Sequence, residues 1–356
     1  MRTISRIIFP LLTILLAGCV APRPELRTAS AGYARYFDIV QADSCVGIVT
    51  IAPSGSFSDT MWVDRPLESI ICMSTSHVAA LSAIDAISVV KGVSGLRFVS
   101  DPKLDRQSVH DIGYDHAIDY ETILKIKPDL LVAYAVNGAE PPYVSKLSSL
   151  GVRTLILNDH LEDHPLARAE YVRLFGALTG RQNVADSVFA EVRDRYLDLA
   201  GNVDRNDPVK VLINIPYSDA WFIPGKEGYM SKLVEDAGGV ILGAPAGTSV
   251  SGIVSLEKAY GYSLEADMWL NPGSCRSRDE LVHAHHMFSR FGPVANGLPI
   301  YNNIRCAGDD GGNDFWERGA VRPDLILHDL VAIFNSVRGI TKEDSPEENL
   351  LFYVRL

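Results

Sequence analysis

Two runs of alternating strand-like and helix-like segments, divided by one long helical stretch, constrain this chain more than any other feature. In the first run Leu67–Met73, Val89–Val93, Leu130–Tyr134 and Arg153–Leu157 read as strands. Between them Ser76–Ile84, capped by Ser74, Thr75 or Ser76, then Tyr120–Ile126 and Pro142–Leu150 read as helices. From Ala167 to Gly201 the pattern is almost wholly helical. Val184, Val188, Val192 and Tyr196 recur every four residues and give one apolar face, with Gly180 as an interruption or kink. Alternation then resumes with strands Val209–Ile215, Met268–Asn271 and Pro299–Asn303, and helices Tyr229–Ala237, Ser277–Phe288 and Arg322–Asn335. Strand and helix in turn dictate mostly parallel sheets covered on both faces. The expected fold is α/β: two lobes, each with a mostly parallel sheet flanked by helices, joined by one long helix, with a ligand cleft between them.

The first residues set the compartment. Arg2 and Arg6 precede the apolar run Ile7–Leu16 and the small residues Ala17 and Gly18. A basic start, a short apolar core and a small-residue site make a secretory signal, and the core is too short to span a bilayer. Leu16-Ala17-Gly18-Cys19 resembles the bacterial lipoprotein box. That resemblance implies cleavage before Cys19, lipid on its thiol, and a periplasmic protein anchored to a membrane of the cell envelope. The expected divisions are a signal peptide (1–18), a lipidated tether (19–32), a β-hairpin extension (33–65), an N-terminal lobe (66–165), a connecting helix (166–201), a C-terminal lobe (202–335) and a tail (336–356) that returns through Leu350 to Val354.

A net charge of -11 argues against general binding to nucleic acid or anionic lipid. Besides Cys19 there are Cys45, Cys72, Cys275 and Cys306, with no zinc-finger spacing. Cys72 sits in an apolar run and reads as a core thiol. Cys275 and Cys306 each follow an expected strand. If those strands are neighbours, both thiols lie at one sheet edge, and a disulfide is expected there.

Several segments, taken in order, resemble a known family. They are Pro66–His77; Glu121-Thr122-Ile123-Leu124-Lys125-Ile126-Lys127-Pro128-Asp129-Leu130; Ile223-Pro224-Gly225-Lys226 followed by Leu233–Gly239; and Arg322-Pro323-Asp324-Leu325. Together with the long helix and the leader, they resemble the class III periplasmic substrate-binding proteins of ABC importers, over residues 66–335. The family takes up iron-siderophores, haem and cobalamin. The resemblance implies a monomeric binding protein without cofactor or catalysis. It would capture an iron chelate (siderophore or haem), or alternatively a corrinoid, and deliver it to an inner-membrane permease.

Ligand contacts are expected on loops after strands: Ser74, Thr75, His77 and Tyr134 in the first lobe, and Trp221, Phe222, Asn303, Asp314 and Trp316 in the second. Phe222 and Asp314-Phe315-Trp316-Glu317 resemble positions where the cobalamin-binding member has contacting aromatic and acidic residues. Glu140 and Glu257 resemble the acidic residues that pair with permease arginines. His283, His285 and His286 read as a solvated helix face, and Asp309–Asp314 lacks the spacing of a calcium loop. Two further readings remain open. An exported hydrolase would need a nucleophile and base, and G-x-S-x-G and H-E-x-x-H are both missing. A bare-ion binder would need side chains from both lobes meeting at one point.

Overall fold

The computed structural model describes residues 27–28, 32–54, 57–135, 139–340 and 346–356. The expected signal and Cys19 lie outside the described residues.

Four antiparallel strands open the described chain and form a sheet in the order β1 (Arg27–Thr28), β2 (Phe37–Gln41), β3 (Val46–Ile51) and β4 (Phe57–Val63). The expected hairpin is β3–β4, and β2 extends it to a sheet with its own buried face. Phe37 and Ile48 turn inward, and Phe37 meets Tyr171 edge-on at 4.6 Å.

The N-terminal lobe follows with β5 (Ile70–Cys72), α1 (Thr75–Ala83), β6 (Val90–Val93), β7 (His110–Asp111) and a small hairpin of β8 (Gly113–Tyr114) and β9 (Ala117–Ile118). Next come α2 (Tyr120–Ile126), β10 (Leu130–Tyr134), α3 (Pro142–Ser149) and β11 (Thr154–Leu157). The lobe's sheet is parallel throughout, in the order β11-β10-β5-β6-β7. Alternation along the strands feeds two cores. Ile70, Cys72, Leu130 and Val132 join the main one, while Ile71, Met73, Leu131 and Ala133 pack under α2 and α3.

The link between lobes is not a single rod. It consists of α4 (Pro165–Ala169), α5 (Tyr171–Thr179) and α6 (Gln182–Gly201). Gly180 ends α5 at φ +68°, where a helix cannot continue, so α6 folds back. A Cβ on Gly176 would lie 2.5 Å from that of Ala185, so glycine is what lets the two helices touch. The Arg173 guanidinium reaches Asp186 at 2.7 Å across the pair. Helix α5 packs on α1 of the N-terminal lobe, while α6 packs on α12 (Pro323–Val337) of the C-terminal lobe. Each lobe therefore owns one arm of a helical hairpin.

Two buried carboxylates, Glu162 just before this link and Glu170 within it, grip the entering chain. Glu170 accepts the amides of Tyr33 and Ala34 at 2.6 and 2.9 Å, and Glu162 accepts those of Arg35 and Tyr36 at 2.9 and 3.2 Å.

The C-terminal lobe contains β12 (Val209–Ile213), β13 (Trp221–Ile223), α7 (Tyr229–Asp236), β14 (Gly239–Ile241), β15 (Gly252–Val254), α8 (Leu256–Ser263) and β16 (Met268–Leu270). After these come α9 (Arg278–Ala284), α10 (Gly292–Ala295), β17 (Ile300–Asn302), α11 (Arg318–Val321), α12 and β18 (Val354–Arg355). Its sheet runs β14-β12-β16-β17-β18, parallel except for the last pair. The tail returns as β18. Asp329 holds it in place, fully buried on α12, by accepting the amides of Leu351, Phe352 and Tyr353 at 2.9, 2.7 and 3.3 Å.

One sequence expectation is corrected here. Strands β16 and β17 are neighbours, yet Cys275 and Cys306 are free thiols. Both lie past the strand ends, where the loops diverge. Asn302 holds the Cys275 carbonyl at 2.8 Å, while the Cys306 thiol is turned toward the Leu351 carbonyl at 3.2 Å.

Candidate ligand cleft between the lobes

Both sheets reverse their winding next to their first strand. In the N-terminal lobe the switch point lies between β5 and β10, and in the C-terminal lobe between β12 and β16. Loops that leave the carboxyl ends of such strands diverge and open a crevice. Ser74 lies in the loop after β5, Thr75 and His77 in the first turn of α1 that follows, and Tyr134 at the carboxyl end of β10. The loops after β12 and β16 carry Asn214 and Asn271, each in a left-handed turn at φ +65° and +56°.

In the first lobe Ser74 caps α1, accepting the Ser76 amide, and its hydroxyl lies 2.8 Å from that of Ser76. Thr75 is the first residue of the helix. Tyr134 is half-buried and meets His160 edge-on at 6.0 Å. Burial lifts the Tyr134 hydroxyl above its ordinary pKa and pushes the His160 imidazole below its own. His77 is only 1% exposed, with Nε2 3.7 Å from Asp159. Burial opposes ionisation of Asp159, but His77 and Arg168 outweigh it and hold the carboxyl well below the usual range. The Arg168 guanidinium lies over the ring of Tyr229 at 5.6 Å and joins this cluster to the second lobe.

In the second lobe the alternation of β13 separates two tryptophan-phenylalanine neighbours. Trp221 is wholly buried, donates its indole N–H to Ile213 and stacks on Phe291, so it is a core residue rather than a cleft contact. Phe222 points the other way, 38% exposed, and pairs across the ribbon with the exposed Ile253. Asn303 is buried, its carbonyl accepting from Asn313. Asp314 pairs with Arg318 at 2.8 Å, and Trp316 is half-exposed, perpendicular to Phe315.

The rims meet across the seam. Glu317, 1% exposed, accepts the amides of Ser100 and Asp101 from the opposite lobe at 2.6 and 3.0 Å. A Cβ on Gly312 would strike the Phe98 carbonyl at 2.4 Å, so glycine allows the two loops to close on each other.

Sequence reasoning missed an aromatic group beside this seam. Phe98 and Tyr114 lie 6.1 Å apart, and Tyr114 stacks on His116 at 6.0 Å. Gly113-Tyr114-Asp115-His116 is a tight aromatic turn between two-residue strands, too short for periodicity to register. Glu140 and Glu257 are both exposed, the latter in the first turn of α8.

The alternative chemistries can be compared with this arrangement. Ser76 donates directly to the Asp159 carboxylate at 3.2 Å, and His77 is sealed from solvent, which is not a nucleophile on a base. Among the described residues no group of three or more His, Cys, Asp or Glu could hold a metal ion. Among them, too, no helix is long and apolar enough to cross a membrane.

Burial lifts both Glu162 and Glu317 to about 7, against an ordinary 4.5. Folding therefore favours their protonated forms. That contribution is whole below about 4.5 and is lost as pH rises through about 7. Unfolding free energy from urea titrations should fall by on the order of 1–3 kcal/mol between pH 5 and pH 8. Glu162→Gln with Glu317→Gln should flatten that slope, and an unchanged slope would assign it to other groups.

The model of the family described as "Periplasmic binding protein" matches residues 70–297. A lipoprotein of Methanocaldococcus jannaschii, MJ0878, is 25% identical over 287 residues, 77% of this chain and 66% of that protein. A cobalamin-binding protein of Halobacterium salinarum is 23% identical over 235 residues, 66% of this chain and 59% of that protein. The chain thus matches less than two thirds of either relative's length. Among solved structures, the periplasmic vitamin B12 binding protein BtuF of Vibrio cholerae superposes with a TM-score of 0.57 at 17% identity, covering 77% of this chain and 99% of that one. The family match takes in the whole first lobe from β5, the helical link and most of the second lobe, and with it this chain belongs to the periplasmic binding proteins.

Proposed function

We propose that the chain is the substrate-binding component of an ABC importer and captures a bulky metal chelate between its lobes without chemical change. The observation that carries this reading is the set of aromatic side chains at the surface of both lobes, exposed at Phe222, Trp316 and His116 and half-buried at Phe98 and Tyr114. Phe222 with Ile253 lies on one side and Phe98, Tyr114 and His116 on the other, with Trp316 at the seam. Rigid rings give large contact area at little cost in side-chain entropy, and a few polar groups such as Ser74, Tyr134 and Asp314 orient the guest. An iron chelate, siderophore or haem, suits these walls. A corrinoid is the second reading, favoured by the cobalamin-binding relative and the B12-binding neighbour. Glu140 and Glu257, both exposed, are proposed to meet basic residues of the permease, with the body held at the membrane through Cys19.

Titration of the purified protein with haem, cobalamin and ferric siderophores, read by tryptophan fluorescence, tests this. One class should quench saturably at submicromolar concentration. Phe222→Ala and Trp316→Ala should each weaken that ligand by about 1–3 kcal/mol while leaving the melting temperature within a few degrees. Absence of quenching across the whole panel would overturn the reading.

A further inference from the structure

Outside the cleft, the open edge of the first lobe's sheet carries unanswered main-chain groups. Strand β11 is bonded to β10 alone. The Leu131 amide donates to the Arg153 carbonyl, and this fixes the alternation along the strand. Arg153, Leu155 and Leu157 turn their amides and carbonyls toward β10, so Thr154 and Ile156 turn theirs away. Among the described residues no group bonds to the main chain of either. Natural sheets blunt such an edge with proline, lysine, a bulge or a very short strand. The opposite edge of this sheet, β7, is only two residues long, His110 and Asp111. Strand β11 reads Thr-Leu-Ile-Leu in unbroken register and has none of these devices.

Beyond that edge lies a trough of about 430 Å³. Three consecutive residues of β11, Thr154, Leu155 and Ile156, border it, so a stretch of the strand itself forms its floor. Val144 closes it from α3, which packs with Ile156 on one face of the sheet. Met61 closes it from β4, which joins the core of the other face together with Leu155. Walls that reach past both faces of an edge strand leave room for one more strand and not for a second sheet. At one end the Arg153 guanidinium donates to the Trp62 carbonyl of β4 at 3.1 Å and ties the walls together. Among the described residues of the lining, Glu140 is the only charged side chain.

We propose that one extended peptide strand of a protein partner adds to β11 in this trough, bonding to the main chain of Thr154 and Ile156 and setting a lysine or arginine against Glu140. A peptide in β conformation presents amides and carbonyls of alternate residues along one edge, which is the pattern these two residues offer. About four residues, at roughly 3.3 Å each, span the strand. The basic side chain follows from the lone carboxylate, which repels an acidic one. A second copy of this chain would bring a whole lobe against walls that admit a single strand. The permease proposed above to meet Glu140 is a partner of this kind, and only that identification rests on the importer reading.

Calorimetric titration of the full chain with the blocked peptide acetyl-Val-Thr-Lys-Thr-Val-amide, followed by hydrogen exchange of single amides, tests the proposal. The peptide should bind saturably and slow exchange at Thr154 and Ile156. Two N-methylated forms, one for each set of alternate residues, read the edge directly. The form methylated on the side that meets β11 should lose binding, and the other should keep it. Thr154→Pro removes an outward amide without breaking the β10 ladder and should weaken the peptide about tenfold. If that variant does not fold, the methylated pair still decides. Norleucine in place of the peptide's lysine should weaken it about threefold. No chelate enters these measurements, so they and the chelate titration can fail independently. Absence of saturable binding, equal binding of the two methylated forms, an unweakened norleucine peptide, or unchanged exchange at Thr154 and Ile156 would overturn the proposal. So would a concentration-dependent dimer of the free chain that Thr154→Pro dissolves, which would give the edge to a second copy.

Discussion

Asp329→Ala should cost about 4 kcal/mol of stability, because it orphans a row of buried donors. The Asp329 carboxylate is wholly buried and accepts three consecutive amides, those of Leu351, Phe352 and Tyr353. With alanine in its place, the buried N–H groups of Phe352 and Tyr353 have no water to turn to, while that of the exposed Leu351 can reach solvent. The chain would have to lift away from β17, taking the buried rings of Phe352 and Tyr353 with it. Urea unfolding gives the free energy, and hydrogen exchange of residues 350–356 shows whether the strand detaches before the lobe unfolds. Asp329→Asn keeps one acceptor oxygen and should fall between. A loss under about 1 kcal/mol for the alanine variant would mean that β18 is held by its apolar side chains alone.

Glu317→Ala should have the second largest effect, about 2–4 kcal/mol, and it acts between lobes rather than within one. It leaves the half-buried Ser100 and Asp101 amides without their acceptor and frees the loop that carries Trp316. Two readouts separate this from ordinary core damage. Small-angle scattering should show a more open molecule, and ligand affinity should fall further than Phe222→Ala alone explains. Glu317→Gln keeps one acceptor, so it should hold most of the stability while losing the pH response expected around 7. An unchanged scattering profile in Glu317→Ala would show that the lobes are kept together by their shared apolar core.

Much of the frame was legible because it is written in local patterns. The apolar runs Leu130–Tyr134 and Val211–Ile213 bury both faces, and such runs announce parallel strands wherever they stand. Ser74 as a cap and Tyr120–Ile126 as a helix before Pro128 follow from chemistry within a few residues. Other features arise from partners far along the chain. Glu162 and Glu170 grip backbone more than a hundred residues earlier, and Glu317 reaches over two hundred residues back to Ser100. No spacing in the sequence marks a glutamate as an acceptor for distant amides. The ribbon β13–β15 was missed for a different reason. At three residues a strand, alternation is too short to distinguish Trp221, which is core, from Phe222, which is rim. Gly180 marks a break in the connecting helix that is legible in the sequence, but whether a break bends or doubles back depends on which surfaces wait for each arm.

The grip of Glu162 and Glu170 on residues 33–36 has a mechanical consequence. A tug on the leading end of the body is borne first where the first lobe passes into the helical link, not by the rim of either lobe. A load applied at a pivot exerts almost no torque about it. Force applied to residues 33–36 would thus be absorbed by buried carboxylates at the root of the helical link, and the loops at the lobe rims would feel little of it.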